Sequence, residues 1–171
     1  VSAIPNLVLA GFMGTGKSTV GRIASERLGM PFVDTDAVVV RETGQPIAAI
    51  FAERGEAAFR QIEAAICQRI AAQGGQVVAV GGGALLDGAT RAAFEANGVV
   101  VCLDTTFDAA AERAGRGEGR PLFEDREKAE QLFRARADHY ASLPHHVDTT
   151  GRAPGEVAEE VIALWKSERS R

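Results

Sequence analysis

Gly11, Gly14, Gly16, Lys17 and Ser18 fall in the pattern G-x-x-x-x-G-K-S, directly after a short apolar run around Val8 and Leu9. That spacing describes a phosphate cradle. The glycines open backbone conformations closed to other residues, so successive amide N–H groups can converge on phosphate oxygens, and the helix that follows turns its positive end to the same place. Lys17 has the reach to bring a point charge to the terminal phosphates, and the Ser18 hydroxyl is placed to ligate a magnesium ion carried by the nucleotide. The pattern predicts a P-loop nucleotide site rather than a plain glycine-rich turn.

Three further groups could supply an acceptor. Asp34 and Asp36 flank Thr35 at the end of a predicted second strand, the edge where open parallel sheets hold ligands. Alternate residues of an extended segment point to opposite sides, so one carboxylate could face a metal and the other an acceptor; equally, one of them could cap a helix. Arg60 follows Glu56 by four residues and precedes Glu63 by three. On a helix this is either an exposed ion pair or a guanidinium held ready for a substrate carboxylate. Gly81, Gly82 and Gly83 end a third strand, where the lack of side chains lets a small ligand press against main chain. Asp104, at the end of the fourth strand, competes with Asp34 for the metal.

Between 113 and 136 lie Arg113, Arg116, Arg120, Arg126, Arg134 and Arg136, interspersed with acidic residues. The mixture fits a solvated surface. Gly115, Gly117 and Gly119, however, give the stretch before Arg120-Pro121-Leu122 the freedom of a mobile lid over about 114–126. A lid excludes water, so that a phosphoryl group reaches an acceptor hydroxyl instead of being hydrolysed, and Arg120 would bring positive charge to the transferring group.

The elements that must position these residues alternate between apolar strands and helical patterns. A helix runs from the P-loop through Leu28, with Gly29 as its cap, and a second strand covers 31–34. Helices follow over 37–42 and 47–53, and a longer one from Glu56 carries Phe59, Ile62, Ile66 and Ile70 on one face. The third strand is 77–80, then a helix over 90–96. The fourth strand, 99–103, is apolar enough to be covered on both faces. A helix over 107–113, the lid segment, one helix from about 127 to 143, a fifth strand at 146–148 and a terminal helix from Pro154 through Trp165 complete the chain. Strands joined by helical crossovers predict a five-stranded parallel sheet between two helix layers, a three-layer α/β fold. A length of 171 residues suits a single domain, 1–171.

Composition narrows the function classes. The chain is 46% hydrophobic and 25% charged, with no apolar run near the roughly 18 to 20 residues that cross a bilayer and no basic segment or long apolar core of a secretory signal at its start. The expectation is a cytoplasmic protein without membrane contact. A net charge of −4 argues against a nucleic-acid partner. Cys67 and Cys102 are far apart, without zinc spacing, and read as small core residues. His139, His145 and His146 match no catalytic position.

The segments Gly11-Phe-Met-Gly-Thr-Gly-Lys-Ser-Thr-Val-Gly-Arg22, Asp34-Thr-Asp36, Gly55-Glu-Ala-Ala-Phe59-Arg60 with Glu63, the three glycines from Gly81 and Arg120-Pro121-Leu122, in this order and spacing, resemble the shikimate kinases over nearly the whole chain. The resemblance implies P-loop kinase architecture and transfer of the ATP γ-phosphate to the 3-hydroxyl of shikimate, on the route to the aromatic amino acids. It gives the phosphates to Gly14, Thr15, Gly16, Lys17, Ser18 and Thr19. It assigns Asp36 to the substrate hydroxyls, as the group accepting or orienting the acceptor proton, and Arg60, Arg136 and the backbone of Gly81, Gly82 and Gly83 to shikimate binding. Ser18 would ligate Mg2+ directly and Asp34 through water, Arg120 would touch the phosphates from the lid, and adenine would lie near Arg113, Arg152 and Pro154. ATP and shikimate are then the only partners of a monomer. Ala57-Ala58 departs from the more polar pair expected there. A gluconate kinase would keep the P-loop and lid without the set Asp36, Arg60, Gly82 and Arg136; an adenylate-kinase-like enzyme would need a second nucleotide pocket.

Overall fold

Strands made almost wholly of small and branched apolar residues can lie buried on both faces, and three such segments, flanked by two more polar edge strands, form one parallel sheet. The computed structural model describes residues 4–115 and 125–171. The strands are β1 (Asn6–Ala10), β2 (Phe32–Asp34), β3 (Val77–Ala79), β4 (Gly98–Asp104) and β5 (His145–Asp148), in the order β2-β3-β1-β4-β5. The central strand β1 pairs Val8 with Val78 on one side and with Val100 on the other, and is buried along its length.

Alternate residues feed two cores. Val8, Val78, Val100 and Cys102 face one helix layer with Ile50, Phe59, Ile66 and Phe94. Leu7, Leu9, Val101 and Val147 face the other, with Val20, Val161 and Trp165. The helices are α1 (Lys17–Leu28), α2 (Thr35–Thr43), α3 (Ile47–Ala71), α4 (Gly88–Asn97), α5 (Phe107–Gly115), α6 (Arg126–Ala135), α7 (Ala137–Ala141) and α8 (Pro154–Glu168), with a short 3-10 turn at Ala84–Leu86. The three-layer α/β fold and five-stranded parallel sheet read from the sequence are those observed. Among the described residues no helix is long and apolar enough to cross a membrane.

The boundaries differ in informative ways. The helix expected at 37 begins at Thr35, because the Asp34 side chain caps it. The helices expected at 47–53 and from 56 form one element, α3, with a break at Gly55, whose φ of 83° and ψ of 167° are not helical. The single helix expected over 127–143 is two, α6 and α7, meeting at Arg136. The apolar spacing of Ala129, Leu132, Phe133, Tyr140 and Leu143 runs through that junction unchanged, so periodicity alone does not reveal it. The fifth strand starts one residue early, at His145. Arg120, Pro121 and Leu122, with most of the expected lid, lie outside the described residues; α5 and α6 stand on either side.

Candidate active site

The P-loop is shaped by close approach. Gly11, Gly14 and Gly16 all have positive φ (136°, 81° and 98°), and a Cβ on Gly14 would stand 2.4 Å from the Ala110 carbonyl oxygen. Only glycine lets the loop lie against α5 in this way. Lys17 Nζ donates to the carbonyls of Gly11 at 2.6 Å and Phe12 at 3.1 Å. The Thr15 hydroxyl donates to Phe12 O at 2.8 Å and is buried, so this side chain clamps the loop, and only its backbone is left for phosphate. Thr19 is exposed on the first turn of α1.

Arg113 supports the loop from behind. Its Nη1 donates to Thr15 O at 3.2 Å and to Thr149 Oγ1 at 2.9 Å, and its Nη2 to Thr149 O at 2.6 Å. Arg152 is held by Asp148 O at 2.9 Å and by Glu160 at 2.7 Å. These two arginines, Pro154, Thr149 and residues Gly14 to Gly16 line a cavity of about 300 Å³. It lies where the resemblance expects adenine.

Asp34 does two things at once. Its Oδ1 accepts from the amides of Asp36 at 2.9 Å and Ala37 at 3.3 Å, capping α2, while its Oδ2 accepts from Ser18 Oγ at 3.3 Å. The sequence left open whether an acid here caps a helix or serves a site; one carboxylate is in position for both. Asp104, the competitor for the metal, has both oxygens on other partners: its Oδ2 is 2.8 Å from His146 Nδ1 and its Oδ1 accepts from Cys102 Sγ at 3.4 Å. Ser18 and Asp34 present hard oxygen donors next to the phosphate cradle, which is the chemistry Mg2+ requires.

Asp36 occupies the middle. Burial raises its pKa above the ordinary 3.8 and the Asp34 charge adds to the rise, while Lys17 and Arg60 partly offset it. It shares a cavity of about 660 Å³ with Lys17, Ser18, Asp34, Gly81 and Gly82, so the phosphate cradle and the glycine strip open on one space.

The glycine strip is where the candidate acceptor residues meet. The Gly81 amide donates to the buried Thr35 hydroxyl at 3.0 Å. A Cβ on Gly81 would lie 2.7 Å from Asp36 Oδ1 and 3.0 Å from Glu63 Oε2, one on Gly82 would lie 3.2 Å from Arg136 Nη1, and one on Gly83 would lie 2.6 Å from Arg60 Nη2. Each glycine thus faces a different member of the set. Arg60 Nη1 donates to Glu63 Oε1 at 2.6 Å and its Nε lies 3.7 Å from Glu56. Glu63 is 3% exposed; burial raises its pKa, and the Arg60 hydrogen bond holds the rise back. No ion pair among the described residues engages Arg136. Two residues of this wall escaped the sequence reading, Thr35 and Tyr140, whose hydroxyl donates to Gly82 O at 2.6 Å. The signal for Tyr140 was its place four residues after Arg136, one helical turn on.

Comparison with known proteins shows the family. A family model described as shikimate kinase matches residues 13–166. A shikimate kinase of Moorella thermoacetica is 40% identical over 164 residues, covering 95% of each chain. Among solved structures, a shikimate kinase from Acinetobacter baumannii in complex with shikimate is similar with a TM-score of 0.89 and 32% identity, over 98% of this chain and 96% of that one. A gluconokinase from Sinorhizobium meliloti is similar with a TM-score of 0.63 over 98% of this chain and 97% of that one, at 23% identity, a likeness of fold alone.

Proposed function

Since the chain belongs to the shikimate kinase family, the ATP-dependent phosphotransferases of the shikimate pathway, we propose that ATP and shikimate meet end to end in the cavity between the P-loop and the glycine strip. The γ-phosphoryl group then passes to the shikimate 3-hydroxyl, giving shikimate 3-phosphate and ADP. The observation that carries this arrangement is the shared cavity, with Lys17 and Ser18 on one side and Asp36, Gly81 and Gly82 on the other.

In this reading the acceptor oxygen bonds to phosphorus as the bridging P–O bond to ADP breaks, and Asp36 orients the hydroxyl and takes its proton. A carboxylate whose pKa is raised by burial is the better proton acceptor. Phosphoryl transfer needs little else than positioning and charge. Lys17 and the amides around Gly14, Thr15, Gly16 and Thr19 hold the phosphates. Arg136 and Arg60 take the shikimate carboxylate: Glu63 and Glu56 fix the direction of the Arg60 fork, and Arg136 brings a guanidinium engaged in no ion pair among the described residues. Ser18 and Asp34 would hold Mg2+, which when bound supplies charge neutralisation between the phosphate oxygens. Arg113, Arg152 and Pro154 flank adenine. The phosphate contact of Arg120 and the lid role of 114–126 rest on the sequence alone. We place the reaction in the cytoplasm and assign it to a monomer made of one domain, 1–171.

The test is ADP release, measured by a coupled assay, with shikimate, gluconate and nucleoside monophosphates offered in turn. Release dependent on shikimate alone is expected. Release driven by gluconate or a nucleoside monophosphate, with none from shikimate, would overturn the assignment.

A further inference from the structure

Parallel register brings three side chains of metal-ligand type together toward the opposite edge of the sheet from Asp34. β4 and β5 pair Cys102 with His146, and Asp104, two residues after Cys102, shares its face. Cys102 Sγ lies 3.4 Å from Asp104 Oδ1, and His146 Nδ1 lies 2.8 Å from Asp104 Oδ2. One ligand atom from each residue lies within 4.8 Å of the others. Zinc bonds of ordinary length set tetrahedral edges of about 3.2–3.6 Å between such atoms, so small side-chain rotations close the set on one ion.

The histidine supplies a second, independent observation. His146 Nε2 is 2.9 Å from Leu143 O, which can only accept, so the ring proton on that side is Nε2–H. Nδ1 then faces a carboxylate oxygen 2.8 Å away. A backbone carbonyl that fixes the distal ring N–H while the proximal nitrogen points at Cys and Asp donors is the usual support of a metal-bound histidine. The three side chains also open on a cavity of about 410 Å³ beside Phe133 and Tyr140. Its walls come from β4, β5, α7, Phe133 and the P-loop residues Phe12 and Thr15, and it shares no lining residue with the cavity that holds Lys17, Asp36 and Gly81.

We propose that Cys102, Asp104 and His146 form a zinc site with three protein ligands and a fourth position facing this cavity. A thiolate, an imidazole and a carboxylate form a mixed set that suits Zn2+ rather than Mg2+, which prefers oxygen alone. On binding, the Cys102 S–H proton leaves to solvent as the sulfur–metal bond forms, with no change of oxidation state. The ion ties β4 to β5 at the strand ends that carry Asp104 and Asp148, next to Thr149, which holds Arg113 behind the P-loop. Occupancy is therefore expected to stiffen the adenine side.

The test uses Co2+ as a spectroscopic probe on the whole chain, reduced and in excess Mg2+. One equivalent is expected to give a thiolate-to-cobalt charge-transfer band and tetrahedral visible bands, both abolished by adding one equivalent of Zn2+, and Zn2+ alone is expected to raise the melting temperature. His146→Gln and Cys102→Ser are each expected to weaken cobalt binding at least tenfold, and Cys67→Ala to leave it unchanged. Should Cys102→Ser fail to fold, His146→Gln, at a partly exposed position, carries the test. Absence of the charge-transfer band, or a band that survives His146→Gln or disappears with Cys67→Ala, would overturn the proposal; in the first case a proton bridges His146 and Asp104.

Discussion

The Tyr140 hydroxyl donates to the Gly82 carbonyl across 2.6 Å, joining α7 to the glycine strip. Burial pushes the Tyr140 pKa up, so the phenol keeps the proton it donates. Tyr140→Phe leaves the carbonyl without this donor, a loss of about 0.5–1.5 kcal/mol. The expected result in steady-state kinetics is a KM for shikimate raised about three- to tenfold, with kcat and the KM for ATP within twofold of the parent.

Gly83 has no room for a side chain. An added Cβ would stand 2.6–2.8 Å from three atoms of the Arg60 guanidinium, which Glu63 holds in place. Gly83→Ala therefore has to displace the fork. The KM for shikimate is expected to rise at least tenfold while ATP binding, measured by calorimetry, is unchanged. Gly88→Ala, where a Cβ meets nothing within 4 Å, is the control and should leave both parameters alone.

Asp36 carries a cost that its removal should reveal. Its folded pKa is raised above the ordinary 3.8, burial being the largest cause. A group of this kind contributes stability that is fully present below pH 3.8 and is lost as pH rises through the folded value. Asp36→Asn is thus expected to melt at a higher temperature than the parent at pH 7, with the gap closing on acidification toward pH 4, while kcat drops about 10²- to 10⁴-fold. A gap that widens on acidification would contradict the sign, and unchanged turnover would remove Asp36 from the chemistry.

The helix cap that Asp34 makes and the Mg2+ role proposed for it can be separated. Asparagine caps helices about as well as aspartate, so Asp34→Asn is expected to keep most of the melting temperature while raising the Mg2+ concentration needed for half-maximal activity. Asp34→Ala should show the same Mg2+ shift and also lose about 0.5–2 kcal/mol of stability with the cap. Denaturant melts and Mg2+ titrations at saturating ATP check both.

What could be read in advance follows the physics. The inner strands of the sheet were legible because strands buried on both faces write themselves as unbroken apolar runs, and the phosphate cradle because the positive φ of Gly11, Gly14 and Gly16 favours glycine. Asp36, Arg60 and the glycines were legible as types, but their juxtaposition depends on α2 and α3 bringing residues 36, 60 and 63 to the end of β3, which spacing along the chain does not encode. The α6–α7 junction at Arg136 stayed hidden because helical periodicity continues across it, and the role of Thr35 because a buried threonine that accepts from a distant amide resembles any core threonine. Cys102 and His146 read as unremarkable until the register of β4 on β5 set them side by side.

β1, which leads into Lys17 and Ser18, and β2, which leads into Asp36, are not neighbours in the sheet; β3 separates them. The ladders reach across only through β3, where Leu9 and Asp34 are both in register with Ala79. The two oxygens of Asp34 add a direct brace, one fastened to the start of α2 and the other to Ser18. A single carboxylate therefore spans the gap that the intervening strand leaves, and its loss is expected to loosen the start of α2 against the start of α1 without disturbing the sheet.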